Sequence, residues 1–190
     1  MVLKQSNKSI LCGGTLIGAN IVLTSASCRD SEPLKYQTRT VYKIVLHPKY
    51  QKTTLDNDLA VIVTENEFQI DGQNDHISPL CIEFGNLSSL ERCVTLGWGN
   101  EAIKYHITDS IMHYANTTEL DLGYTLHPVN HCAKIDLDPS LVDMGSGLAC
   151  TVDDIHYHLK GVFTKVRSDG YLEFTRPDME WISYLFSGNI

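Results

Sequence analysis

Three observations predict an all-β fold closed by one C-terminal helix. Short apolar, β-branched runs recur between turn signals. The hydrophobic period changes from strand-like to helical only at the very end. The 190 residues are 43% hydrophobic and 20% charged, near the globular average, so a packed core is expected and wholesale disorder is not. In chain order, Ile17 to Ser25 is apolar and β-branched around the turn pair Ala19-Asn20. Val41 to Leu46 alternates and stops at His47-Pro48, and Leu59 to Val63 is a continuous apolar run of the buried-strand kind. Cys93 to Leu96 leads into a Gly97-Trp98-Gly99 turn. Leu148 to Val152 and His156 to Val166 flank Asp153-Asp154-Ile155, a hairpin signal. Asp178 can cap a helix that carries Met179, Ile182, Leu185 and Phe186 on one face. A sandwich or a barrel would satisfy this pattern.

Charge and cysteine usage narrow the function. Fifteen basic residues against 23 acidic give a net charge of −8, which argues against a nucleic-acid partner, because neutralising phosphates needs a basic face. No apolar run approaches bilayer length. Met1 to Ile10 lacks the apolar block of a secretory signal, so either the chain is cytosolic or its N-terminal part is missing. The six cysteines, Cys12, Cys28, Cys81, Cys93, Cys132 and Cys150, are spread widely and fit disulfides better than a zinc site. Sequons at Asn7, Asn86 and Asn116 fit a glycosylated surface, and with the cysteines they favour an oxidising, extracellular compartment.

Three segments, in the right order, resemble the trypsin-like serine proteases. Cys12-Gly13-Gly14-Thr15-Leu16-Ile17 followed by Ile21 to Cys28 resembles the stretch that ends in Ala-Ala-His-Cys in that family. Asp56-Asn57-Asp58-Leu59-Ala60 resembles the segment that carries the triad aspartate. Cys93 to Asn100 resembles the family's Cys…Gly-Trp-Gly strand, and Trp181-Ile182 matches its closing helix. The resemblance implies a single domain over residues 1–190, made of two six-stranded antiparallel Greek-key barrels with the cleft between them. The first barrel is expected over about 1–95 with its first strand missing, the second over about 96–177, and the helix over 178–187. It also implies disulfides Cys12–Cys28 and Cys93–Cys150. Cys81 resembles a cysteine that bridges to a propeptide or light chain, and Cys132 one whose usual partner lies upstream. Their pairing stays open, a direct Cys81–Cys132 bridge included.

The departures bear most on function. Ser27 occupies the histidine position, and counting back from Cys150 puts Met144 at the nucleophile position, so Asp58 alone remains of the triad. A serine hydroxyl cannot act as the base, and a thioether cannot form a hydrolysable acyl-enzyme. The oxyanion-hole positions fall on Val142 and Met144, where the family relies on glycine at the first. Sliding the loop by two brings Ser146 to the nucleophile place, at the cost of the Cys150 spacing and of Asp143. None of His47, His76, His106, His113, His127 and His131 stands where a replacement base is needed. Asp143 matches the aspartate that pairs with a freed N-terminus, a relic here, and Asp138 is the candidate for the floor of a specificity pocket. Thr164-Lys165-Val166 stands for the family's Ser-Trp-Gly, and its lysine and valine would crowd a substrate groove.

His156 and His158, two apart on the expected strand, suit either a metal pair or a solvent-facing face, the second being the simpler, with Tyr157 turned to the core. Glu119, Asp121, Asp136 and Asp138 read as a solvated acidic face. The expectation is an inactive secreted protease homologue without metal or cofactor. Its partners would be extracellular proteins such as proteases, inhibitors or cascade components, in immune or venom-like settings. The alternative is residual peptidase activity through Ser146.

Overall fold

The computed structural model describes residues 2–5, 8–11, 13–26, 39–70, 78–83, 87–99, 112–121 and 130–188. Within them, β-branched runs have become strands. In the first half, β1 (Val2–Gln5) and β2 (Lys8–Leu11) pair as a hairpin. Next come β3 (Thr15–Gly18), β4 (Ile21–Thr24), β5 (Val41–Leu46) and β6 (Ala60–Thr64), which form an antiparallel sheet in the order β3-β4-β6-β5. β4 and β6 are buried along their whole length because they lie centrally, so both read as unbroken apolar runs rather than as alternation.

The second half adds β7 (Cys81–Ile82), β8 (Arg92–Gly97), β9 (His113–Asp121), β10 (Asn130–Ile135), β11 (Gly147–Thr151), β12 (His158–Val166) and β13 (Leu172–Thr175). The order β11-β8-β9-β10-β13-β12 closes on itself through β11–β12, making a six-stranded antiparallel barrel, with β7 parallel to the outside of β12. Closure leaves those six strands without a bare edge. Six strands thus close the second half as expected. The first half shows, among the described residues, a four-stranded sheet and a separate hairpin, and residues 27–38 lie outside the description.

Two apolar clusters hold the halves. One fills the barrel, with Leu148, Phe163, Leu172 and Phe174 at its centre. The other lies between the first sheet, the outside of β12 and the helix α1 (Met179–Phe186), joining Leu23 and Val61 to Leu159, Val162, Trp181 and Leu185. Asp178 caps α1 as its sequence position suggests, accepting the Trp181 N–H at 3.1 Å. The buried face is corrected by one residue: Trp181, Ile182 and Leu185 face inward, while Phe186 is 49% exposed. The larger indole claims the interface because His47 meets it edge-on at 4.8 Å. No helix among the described residues is long and apolar enough to cross a membrane.

Cys93 and Cys150 face each other on β8 and β11 and form a disulfide closing a loop with sequence separation 57. A loop of that length contributes about 4 kcal/mol in the chain-entropy picture.

Candidate functional site

The loop before β6 delivers Asp58 to the junction of the two halves. Leu55 and Asn57 take positive φ, 62° and 52°, so the chain folds back tightly, with Gln51 bridged to Asp56. Asparagine tolerates that region, whereas leucine is strained there. Asp58 is completely buried and accepts a hydrogen bond from the Ser25 hydroxyl, which is buried too. Ser25 is not singled out by the sequence reading. The signal was there: Ser25 puts a hydroxyl where the family has the first alanine of Ala-Ala-His-Cys. Ser27 lies outside the described residues, as do Cys12, Cys28, Asn7 and Asn86.

Opposite Asp58, the loop between β10 and β11 is held by backbone contacts. The Gly13 N–H donates to the Met144 carbonyl, and the Thr24 hydroxyl donates to the Gly13 carbonyl at 2.8 Å. Gly145 donates to the Phe163 carbonyl at 2.9 Å, and Phe163 returns a bond to Ser146 at 2.8 Å. Gly145 has φ +83°, and a Cβ there would lie 2.4 Å from both the Gly13 carbonyl and the Thr24 hydroxyl, so only glycine fits. Met144 packs half-buried against the barrel core. Ser146 is 6% exposed, and its hydroxyl would sit 2.1 Å from a Cβ built on Gly13.

Val142 ends a short 3-10 turn, Pro139–Leu141, and its N–H donates to the Pro139 carbonyl at 3.2 Å. Its φ of −94° is an ordinary extended value. Asp138 is exposed and caps that turn, accepting the Ser140 N–H at 2.8 Å, which holds its carboxyl below the usual range. Asp143 is buried and accepts the Trp98 and Gly99 N–H groups, each at 3.1 Å. Burial still pushes its carboxyl above the ordinary value, the hydrogen bonds offsetting only part of the desolvation.

A basic side chain spans the rim of the same region. The Lys165 ammonium lies 3.0 Å from the Glu173 carboxylate and donates to the Thr54 carbonyl at 3.3 Å. It ties β12 to the loop that carries Asp58.

Other candidates disperse. Cys81 is exposed on β7, whereas Cys132 is buried on β10, its sulfur accepting a hydrogen bond from Arg167 at 3.5 Å. Asn116 is exposed on β9, its amide donating to Asp136 at 2.8 Å. Of the expected acidic face, Glu119 pairs with Lys134 at 2.8 Å. The His156–His158 pair does not share a strand: β12 begins at His158, and His156 sits in the preceding turn. The reason is local, because Asp153 accepts the Ile155 and His156 N–H groups and the His156 ring, while Asp154 takes φ +62°. Tyr157 is only half-buried rather than turned to the core. Among the described residues no three His, Cys, Asp or Glu side chains gather to hold a metal ion.

Comparison with known proteins agrees with this architecture. The family profile described as Trypsin matches residues 1–121. The inactive serine protease scarface of Drosophila melanogaster is 31% identical, over 100% of this chain and 32% of that protein. The inactive CLIP domain-containing serine protease A28 of Anopheles gambiae is 30% identical, over 84% of this chain and 50% of that protein. The chain thus spans half or less of these relatives. Among solved structures, kallikrein-related peptidase 10 in complex with Zn2+ matches with TM-score 0.74 at 20% identity, over 99% of this chain and 95% of that one, a likeness of fold. With a closed β-barrel, a second sheet, a terminal helix and a profile covering more than half of its residues, the chain belongs to the trypsin family.

Proposed function

We propose that this chain is a catalytically inactive, secreted serine protease homologue that acts by binding extracellular proteins, as a cofactor, decoy or regulator of a protease cascade. The observation that carries the reading is Met144. Counted from Cys150 it takes the nucleophile's place, and its thioether packs against the barrel core. A thioether there offers no hydrolysable acyl-enzyme.

Three further features support it. The Val142 N–H, which the resemblance makes an oxyanion donor, is spent on the Pro139 carbonyl. Loss of one such donor alone typically costs about a hundred- to a thousandfold in rate. Asp58 is satisfied by Ser25, as a relic carboxylate would be. Lys165 reaches across from β12 to Thr54, where the resemblance implies the substrate groove. Both relatives described above carry "inactive" in their names. Nothing favours attack by Ser146, whose hydroxyl is packed against Gly13.

On this reading Ser27 occupies the position of the lost base without its chemistry, Cys12 and Cys28 form a second disulfide, and Asn7, Asn86 and Asn116 carry glycans. Exposed Cys81 is the thiol from which a bridge to a segment outside this chain would start. Intact-mass spectrometry of the secreted protein, with and without a fluorophosphonate and with and without reduction, tests the reading. No adduct and intact disulfides are expected. A stoichiometric adduct on Ser146 would refute it.

A further inference from the structure

A groove of about 530 Å³ runs between the ends of β4 and β6, the start of β5 and the last turn of α1, at the end of β6 remote from Asp58. That volume lies within the range of small-molecule sites. The lining divides by burial. Ile21, Val63 and Leu185 are 7%, 7% and 3% exposed and form an apolar floor continuous with the cluster that joins the first sheet to the helix. Tyr42 and Phe186, 66% and 49% exposed, make aromatic walls, and Glu65 is exposed at the rim.

The backbone sets that rim. The β5–β6 register jumps between Val41 and Lys43, so Tyr42 is the extra residue of a bulge, a device that re-aims a side chain. The Glu65 N–H donates to the Thr40 carbonyl at 2.9 Å, which holds Glu65 beside the bulged strand. Among the described residues the Glu65 carboxylate forms no ion pair.

The polar inventory says which guest fits. A primary ammonium or a guanidinium carries several N–H donors and wants several acceptors around it. The Thr64 hydroxyl is already donating, to the Asn20 and Asn66 carbonyls at 3.3 and 2.8 Å, and the Asn20 carbonyl also takes the Thr64 N–H at 3.0 Å. Among the described residues Glu65 is then the one carboxylate on a lining of two aromatic and three aliphatic side chains. An anion would be repelled by it, and a neutral guest would leave it without a counterion. A methylated ammonium donates no hydrogen bond, and a carboxylate and aromatic faces attract it together.

We propose that this groove binds a small organic cation, an alkyl chain that carries a methylated ammonium group. The chain lies over Ile21, Val63 and Leu185, and the head group sits between Tyr42 and Phe186 with Glu65 as its counterion. The site is separate from the positions of the lost catalytic groups and stands whether or not the chain also binds proteins.

The probe is hexyltrimethylammonium, titrated into the full chain and followed by saturation-transfer NMR. Hexanol and hexanesulfonate serve as the neutral and anionic controls. Saturable binding is expected with a Kd of about 1 mM or tighter. Both controls should bind more weakly by about fivefold or more. Glu65→Gln and Phe186→Leu, at exposed positions, should each weaken the cation by about three- to fivefold. Glu65→Gln should leave hexanol unaffected. Phosphatidylcholine vesicles, which bear the same head group, distinguish two sources of this chemistry. Cosedimentation that Glu65→Gln abolishes assigns a lipid head group, whereas binding of hexyltrimethylammonium without cosedimentation assigns a free amine. Absence of saturation, hexanol binding as tightly as the cation, or indifference to both variants would overturn the proposal.

Discussion

Lys160 offers the sharpest test of how burial sets the worth of an ion pair in this fold. It sits near the start of β12, 4% exposed, with its ammonium 2.9 Å from Glu91 and 3.1 Å from Glu83. The two carboxylates differ in burial: Glu91 is 6% exposed and Glu83 48%. Glu91 also accepts the Ser88 N–H at 2.6 Å. Breaking a buried pair by removing one partner costs about 3–5 kcal/mol, because the other charge is left dry, while an exposed partner is worth about 1 kcal/mol or less. Lys160→Met strands Glu91 and should cost about 3–5 kcal/mol. Glu91→Gln leaves Lys160 with Glu83 in reach and should cost somewhat less, whereas Glu83→Gln should fall within about 1 kcal/mol. The double variant Lys160→Met/Glu91→Leu should recover most of the loss, since apolar packing replaces an ion pair well. Urea unfolding reads these as midpoint shifts, and at a slope of about 2 kcal/mol/M the single Lys160 variant should move by roughly 2 M. Equal costs for Glu83→Gln and Glu91→Gln, or a double variant as weak as the summed singles, would show that burial does not set the energetics here.

Three further outcomes follow from the same geometry. Desolvation raises the Asp178 carboxyl, but the Trp181 N–H and His47, whose ring lies 3.1 Å away, outweigh it and hold it below its ordinary value. Its contribution is therefore present above the unfolded pKa of about 3.9 and is lost as pH falls through the lower folded value. Asp178→Asn keeps the cap, so unfolding free energies from urea melts should differ by about 0.5–1 kcal/mol at pH 6 and draw together as pH falls below the usual carboxylate range, and a gap unchanged in acid would contradict this. Gly145→Ala forces a Cβ to within 2.4 Å of two oxygens at positive φ and should lower the melting temperature by several degrees, with about 2 kcal/mol lost. Restoring side chains by Ser27→His with Met144→Ser should leave peptide-ester hydrolysis at background while the Val142 N–H stays bonded to Pro139. Turnover in that double variant would show the oxyanion site is intact.

The strands with unbroken or alternating apolar runs were legible because their pattern follows their place in a sheet: β4 and β6 are central, and the Cys93–Cys150 pair sits in register. β9 and β10 were not, because exposed polar residues such as Asn116 and Glu119 break the period of β9, while β10 opens on the buried polar residues Asn130 and His131. The terminal helix was readable from its cap, but its inward face was not, since Trp181 is buried by residues distant in sequence, His47 and the first-sheet residues Leu23 and Val61 among them. Around the candidate site, residue identities at the spaced positions could be counted from Cys150, while partnerships could not. Ser25 meeting Asp58 and Lys165 meeting Thr54 are tertiary events between segments that no local pattern links.

Those partnerships explain how a site can lose its chemistry and keep its frame. Gly13, Thr24, Asp143, Gly145 and Phe163 are tied to one another largely through backbone atoms, and Asp143 holds the turn at Trp98 and Gly99. These bonds join the first sheet to the barrel, so they are needed for folding whatever stands at positions 27 and 144. Met144 fills the nucleophile's place by packing against the barrel core, so the frame survives without a serine there. Asp58 is a different case: fully buried, it would be costly to leave unpaired, and Ser25 supplies a donor from the neighbouring strand. A carboxylate retained beside a serine, with a methionine across from it, is then what folding alone would preserve. On this view Asp58→Asn should change stability, not function, and Ser25→Ala should destabilise by about 1–3 kcal/mol by removing a hydrogen bond from the buried carboxylate. If partner binding fell with Asp58→Asn while the urea midpoint stayed put, Asp58 would have a working role that this account denies it.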